Sequence, residues 1–251
     1  MEKYDIVITS HEKDFNKIKY VVESAEKFLT GFDNIYLILS ERVEYNELDI
    51  LKTKTSRPIH LYKETDVLNV DKTKISHRPN WIYQMLLKMF QTITINDNFL
   101  ILESDSIFNT KINFFEDNKI IFYLGNDQYH IPYFEFSKKI ANIGREYNHT
   151  FICEFMMYNK KKIIELLKIS KCNDVYEFIE KTYQYVTPSC YPADYELYGN
   201  FMYKYYKDEL ILKPIKVLLN ATHSIWTDSS IESLIRNTSG DVISFHTWGF
   251  N

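Results

Sequence analysis

The chain opens on an apolar, β-branched run, Tyr4 to Thr9 (YDIVIT), which fits a parallel strand buried on both faces. Lys17 to Leu29 then sets Ile18, Val21, Val22, Ala25, Phe28 and Leu29 at helical spacing, and Gly31 ends that stripe. Asn34 to Leu39 (NIYLIL) reads as a second strand, Glu44 to Leu51 as a weaker helix, and Pro58 to Tyr62 as a third strand. Strand–helix–strand alternation from the start predicts a right-handed βαβ layer with helices on both faces.

A polar stretch, Lys63 to Ser76, separates this unit from an amphipathic helix over Asn80 to Thr94. Asn98 to Leu102 (NFLIL) is a buried strand that runs directly into Glu103-Ser104-Asp105. Further on, the pattern predicts a strand at Lys119 to Leu124 and a helix near Phe134 to Ile143. A mixed apolar run covers Phe151 to Tyr158. Helices follow at Lys160 to Ile169, Val175 to Thr182 and Asp194 to Tyr206, with closing strands at Leu210 to Leu212 and Val242 to Phe245. There is no internal repeat and no Pro/Gly/Ser linker, so residues 1–251 read as one α/β domain with a mixed, mostly parallel sheet. The later half is expected to layer onto the first.

Composition narrows the function classes. At 251 residues, 45% hydrophobic and 25% charged, the chain has ordinary globular make-up, which excludes disordered and fibrous classes. A net charge of −4 argues against bulk nucleic-acid binding. No apolar stretch approaches the roughly 20 residues of a membrane span. Cys153, Cys172 and Cys190 have neither CxxC spacing nor even number, so no disulfide framework or zinc ribbon is indicated. Met1 to Asp5 lacks a signal-peptide core, which predicts a soluble, cytoplasmic protein (host cytoplasm for a viral chain) and leaves the sequons at Asn148, Asn220 and Asn237 idle. Aromatic content is high at 16%, with 20 Tyr. Lys outnumbers Arg heavily, as AT-rich codons produce in viral or low-GC bacterial genomes, so codon bias competes with a sugar- or nucleotide-stacking role for these rings.

The sharpest chemistry lies where the Asn98 strand ends. Alternation along a strand would send Glu103 and Asp105 to the same side, and C-terminal strand ends are where open α/β sheets bind ligands. Two such carboxylates suit magnesium or manganese. A helix cap or solvated turn is the plain alternative. In Arg78 to Lys88, Trp81, Gln84 and Lys88 share one helical face, able to grip a diphosphate, with Arg78 just ahead of the helix. A solvated amphipathic helix is the alternative there. Thr9 to Asp14 follows the first strand with hydroxyls and acids suited to a ribose or to a helix cap. Glu154 interrupts an apolar run, which implies a partner or a function. Asp194 and Glu196 stand at a helix start, where the dipole alone favours acids. His246 emerges from the last strand ahead of Thr247-Trp248-Gly249, where it could complete a metal site. No GxGxxG, P-loop or Ser-His-Asp signature is present.

Taken in order, Tyr4–Asp14, Arg78–Lys88, Glu103–Asp105, Cys153–Met156, Tyr195–Asn200 and Ser244–His246 resemble a GT-A-type glycosyltransferase. More narrowly, they are similar to a glycosyltransferase family of bacteria and giant viruses. The resemblance spans nearly the whole chain. It implies a UDP-sugar donor, a manganese or magnesium ion, and a glycan or glycoprotein acceptor. Residues 1–125 would form the nucleotide-sugar half and residues 126–251 the acceptor half. The usual triplet is Asp-x-Asp, so Asp105 is the firmer metal ligand here, and Glu103 is either a second ligand or a ribose or water contact. Thr9 and Asp14 would approach the nucleoside; Arg78, Trp81, Gln84, Lys88 and Ser104 the donor; His246 the metal. Glu154 is the first candidate for the catalytic base, with Asp194 or Glu196 next. The expected activity is hexose transfer. Its rivals are a metal-dependent phosphohydrolase, which would need more ligands, and a non-catalytic sugar-binding or virion-associated protein.

Overall fold

Every residue of Tyr4–Ser10 (β1) is buried, as a strand covered on both faces must be. In this computed structural model the described residues are 2–43, 45–220 and 226–246, apart from the side chains of residues 45–48. The helix Phe15–Phe28 (α1) follows, burying Ile18, Val21, Val22 and Ala25, and Gly31 makes the turn beyond it at φ 88°. Then come Phe32–Leu39 (β2), Ile59–Lys63 (β3), the short helix Glu64–Val67 (α2), Pro79–Phe90 (α3) and Asn98–Glu103 (β4). Ser106–Phe108 (β5), Phe115–Glu116 (β6), Lys119–Leu124 (β7), Ile131–Ala141 (α4) and Phe155–Asn159 (β8) follow. The last elements are Lys160–Ile169 (α5), Val175–Tyr185 (α6), Asp194–Tyr206 (α7), Leu210–Pro214 (β9), Val217–Asn220 (β10), Asp228–Asn237 (α8) and Val242–Phe245 (β11).

The main sheet has the order β3-β2-β1-β4-β8. Its first four strands are parallel, and β8 runs antiparallel to β4. With helices on both faces, this is the expected mixed, mostly parallel architecture. Two three-stranded sheets, β10-β11-β5 and β6-β7-β9, complete the fold.

Several boundaries moved for local reasons. The weak helix expected from Glu44 to Leu51 is a 3-10 segment, Tyr45–Thr53, and Glu44 lies outside the described residues. Helix α3 stops at Phe90 instead of Thr94, because the Gln91 side chain turns back to accept from the Ile93 amide. Strand β4 ends at Glu103; Ser104 and Asp105 form a turn, so the two-residue alternation does not carry through to Asp105. Strands β5, β6 and β10 and helices α2 and α8 carried too little apolar pattern to be seen. Helix α8 buries only Ile231, and its clearest mark is the capping pair Thr227 and Ser230.

Helix α7 is packed without slack. A Cβ on Gly199 would stand 2.2 Å from the Phe151 ring. Gly199→Ala is therefore expected to destabilise the fold by roughly 2–3 kcal/mol through overpacking. A melting temperature lower by roughly 5–10 °C would match that cost, and an unchanged one would show that the Phe151 loop yields freely.

Candidate active site

Three separate strands deliver one acidic cluster. The β1–β4 register sets Thr9 beside Glu103 at the C-terminal edge of the parallel sheet. Antiparallel β8 starts where β4 ends, and the Glu103 amide donates to the Glu154 carbonyl, so Glu154 arrives at the same edge. Strand β11 pairs with β5, and the Phe245 amide donates to the Asp105 carbonyl at 2.7 Å, which sets His246 next to Asp105.

There His246 Nδ1 lies 3.2 Å from Asp105 Oδ2, and Nε2 lies 3.7 Å from Glu154 Oε1. One ligand atom from each of the three falls within 4.8 Å of the others, the only such group among the described residues. Burial works against a charged imidazole. The two carboxylates outweigh it and raise His246 to about 10, so the ring is held as a cation between them. With the ring neutral, two carboxylate oxygens and one imidazole nitrogen are a donor set that suits manganese or magnesium, so an ion would bind here in exchange for the proton that His246 otherwise carries.

Behind Glu154 stand two fully buried serines. The Ser106 hydroxyl is 3.2 Å from Glu154 Oε2 and 2.8 Å from the Ser244 hydroxyl. Such outer partners orient a ligand. Ser106→Ala is expected to weaken Mn2+ binding roughly 10- to 100-fold, as read by calorimetric titration, with little loss of secondary structure. Undiminished Mn2+ affinity would mean that Glu154 needs no such support.

Glu103 is not a member of this group. It accepts from the Lys88 ammonium and, at 2.8 Å, from the Tyr195 hydroxyl. Burial tends to lower the Lys88 pKa, but Glu103, Asp194 and Glu154 more than reverse that, and Lys88 stays charged. The expected pair of neighbouring carboxylates is thus divided: Asp105 joins His246 and Glu154, while Glu103 joins Lys88. Ser104, between them, is buried.

Asp194 begins α7 with 7% exposure, its amide contacting Met85 Sδ and its carboxylate accepting from the Tyr158 hydroxyl at 3.5 Å. Burial lifts it to about 6; Lys88 opposes the lift and Glu103 adds to it. Glu196, two residues on, is not part of the cluster. Its carboxylate accepts from Thr150 and Asn200, and Asn200 in turn accepts from the Glu146 amide, tying residues 146–152 to α7. Burial raises Glu196 as well.

The remaining expected residues fall into two places. Gln84 donates to Thr9 at 3.1 Å, and Asp14 pairs with Lys17 at 2.7 Å. Lys17 is 1% exposed and also donates to the Phe245 carbonyl, linking the start of α1 to the residue before His246. Sequence reading passed over Lys17. Its signal was a lysine on the buried stripe, one turn before Val21. Arg78 and Trp81 stand at the opposite end of α3 from Lys88, the guanidinium 4.2 Å from the indole ring. Thr247 to Gly249 lie outside the described residues. A cavity of about 440 Å³ between α1 and α8, lined by Tyr20, Phe28, Phe108 and Ile235, contains none of these groups.

No family model matches the chain, and no curated protein matches it in sequence. Solved structures do. Mouse xyloside xylosyltransferase 1 superposes with a TM-score of 0.51 at 8% identity, over 97% of this chain and 98% of that one. The bifunctional glycosyltransferase WbbM gives 0.53 at 10% identity, over 97% of this chain and 46% of that one. No helix among the described residues is long and apolar enough to cross a membrane. At such identities the likeness is one of fold: the chain has the mixed, mostly parallel α/β fold of GT-A glycosyltransferases.

Proposed function

We propose that this protein transfers a hexose from a UDP-sugar to a glycan or glycoprotein acceptor, using a manganese or magnesium ion. The observation that carries this reading is the meeting of Asp105, Glu154 and His246 at the C-terminal edge of β4, on a fold shared with glycosyltransferases. These three residues would hold the ion. When bound, it would neutralise the diphosphate leaving group. Lys88 adds a fixed positive charge near that group. Thr9 with Gln84, and Asp14 with Lys17, border the nucleoside end.

Glu154 serves here with the ligands, so the base assignment moves to Asp194. A carboxylate lifted to about 6 is poised to take a proton from the acceptor hydroxyl near neutral pH. Glu196 positions the loop over residues 146–152. Residues 1–125 form the nucleotide-sugar side and residues 126–251 the acceptor side, with Glu154 and His246 reaching across. Three converging ligands favour one ion over the two-ion site of many phosphohydrolases.

Thermal-shift measurements with UDP and UDP-hexoses, with and without Mn2+, test the reading, followed by assay of released UDP. Mn2+-dependent stabilisation and UDP release are expected. Absence of stabilisation by every nucleotide sugar removes the proposal, and stabilisation without turnover on any acceptor leaves a sugar-binding protein.

A further inference from the structure

We infer that Arg78, seated on an aromatic wall of Trp81, Tyr133 and Tyr191, forms a subsite for an acidic group carried by a saccharide acceptor. The inference rests on the transferase reading and extends it to the acceptor's chemistry.

The backbone supplies the first observation. Arg78 precedes Pro79, and a residue before proline is driven toward extended conformations. Here it is left-handed instead, at φ 48° and ψ 52°. That conformation is unfavourable for a non-glycine residue and persists only where the surroundings hold it.

The wall supplies the restraint. The guanidinium lies 4.2 Å from the Trp81 ring centre and 5.8 Å from that of Tyr191. Trp81 stacks on Tyr133 at 6.0 Å and meets Tyr191 edge-on at 5.7 Å. His130 closes the assembly through a 2.6 Å hydrogen bond with the Tyr191 hydroxyl. The guanidinium also hydrogen-bonds the Tyr133 hydroxyl, and a cation held against rings in this way has further N–H donors to offer a planar or tetrahedral oxyanion. Arg42 and Arg145 spend their charge on Glu12 and Asp127, whereas among the described residues no carboxylate lies within 4.0 Å of Arg78.

Position argues for the acceptor rather than the donor. The Asp194 amide contacts Met85, which lies about one helical turn from Lys88 and two from Arg78. Arg78 is seven residues beyond Met85, roughly 10 Å along the helix axis. An acceptor hydroxyl at Asp194 and an acidic group at Arg78 would then be separated by a saccharide unit or two. Tyr129 and Ile131, 61% and 57% exposed on the segment that carries His130, offer an apolar surface beside the cation for a sugar's C–H face.

The test is calorimetric titration of the full chain with glucose 6-phosphate, glucuronic acid and glucose, and with UDP plus Mn2+. Arg78→Gly removes the guanidinium and suits the left-handed backbone, so it folds; Arg78→Lys keeps the charge but not the planar fork. At least one acidic sugar should bind tenfold or more tightly than glucose, and both variants should lose that advantage while UDP affinity is unchanged. Phosphate and carboxylate acceptors are told apart by which of the two sugars binds. Equal binding of all three sugars, no binding at millimolar concentration, or indifference to both substitutions overturns the inference. A matching loss of UDP affinity also overturns it, by moving Arg78 to the donor. If no nucleotide binds yet acidic-sugar binding still depends on Arg78, the transferase reading falls and the subsite stands.

Discussion

Asp105→Asn is expected to leave the chain folded while Mn2+-dependent UDP binding disappears and turnover falls at least about a hundredfold. The side chain sits in a turn at 19% exposure, outside the hydrophobic core, so its replacement by an isosteric amide removes little packing. The turn itself is held by the Asp105 carbonyl, which still accepts from Phe245. What the amide cannot supply is the negative charge that faces His246 and would face the ion. Glu154→Gln makes the control. As a ligand, Glu154 should show the same joint loss of Mn2+ affinity and transfer. Retained Mn2+ and donor binding with transfer abolished would return Glu154 to the role of base. Full Mn2+ affinity in Asp105→Asn would dismiss the ion site altogether.

Asp194→Asn should have opposite effects on activity and stability. As the base, Asp194 should account for a roughly 10²- to 10⁴-fold fall in transfer when neutralised. Its ionised form is also a burden on the fold. The lift from the ordinary aspartate value to about 6 corresponds to about 3 kcal/mol against folding once the group is charged. The native protein takes up this proton near pH 6, whereas the unfolded chain does so only near pH 4. The burden is therefore full above pH 6, fades between pH 6 and 4, and is gone below. Urea unfolding at pH 7.5 should find Asp194→Asn more stable by up to about 3 kcal/mol, with the gain vanishing toward pH 4. A variant less stable at both pH values, with transfer retained, would make Asp194 a structural acid. Stability given up for a buried charge is a mark of a functional group.

Much of the fold was legible because its central strands are buried on both faces. Runs such as Tyr4–Ser10 and Leu100–Leu102 can be little else in an α/β chain, and the stripe of α1 states its own period. Elements without that signature escaped. Strand β5 is three residues long and exists through its pairing with β11, a partner far along the chain. Helix α8 shows a polar face and a capping pair but only one buried apolar residue.

The candidate site was legible one residue at a time. Glu154 stood out as a charge in an apolar run, His246 as the end of a strand, and Asp105 as the exit of another. The reason is that an expensive burial or a strand terminus is a local property of the chain. Partnership is not. Lys88 looked like a phosphate grip on a helix face and meets Glu103; Glu103 looked like a companion of Asp105 and meets Lys88 and Tyr195. Lys17 was hidden because its reason for being buried, Asp14 and the Phe245 carbonyl, includes a residue 228 positions away.

By itself, then, the sequence determined the class of fold, the order of its central strands and helices, and which acids end up at strand exits, since each follows from hydrophobic period and chain connectivity. Only the tertiary structure decided which charges share a site. A two-residue turn after β4, Ser104 and Asp105, breaks the strand alternation between Glu103 and Asp105, and the antiparallel entries of β8 and β11 bring Glu154 and His246 to Asp105 instead. Register between distant strands sets those distances, and Coulomb and ligand interactions between charges fall away over a few ångströms, so the pairing could be read only once the strands were in place.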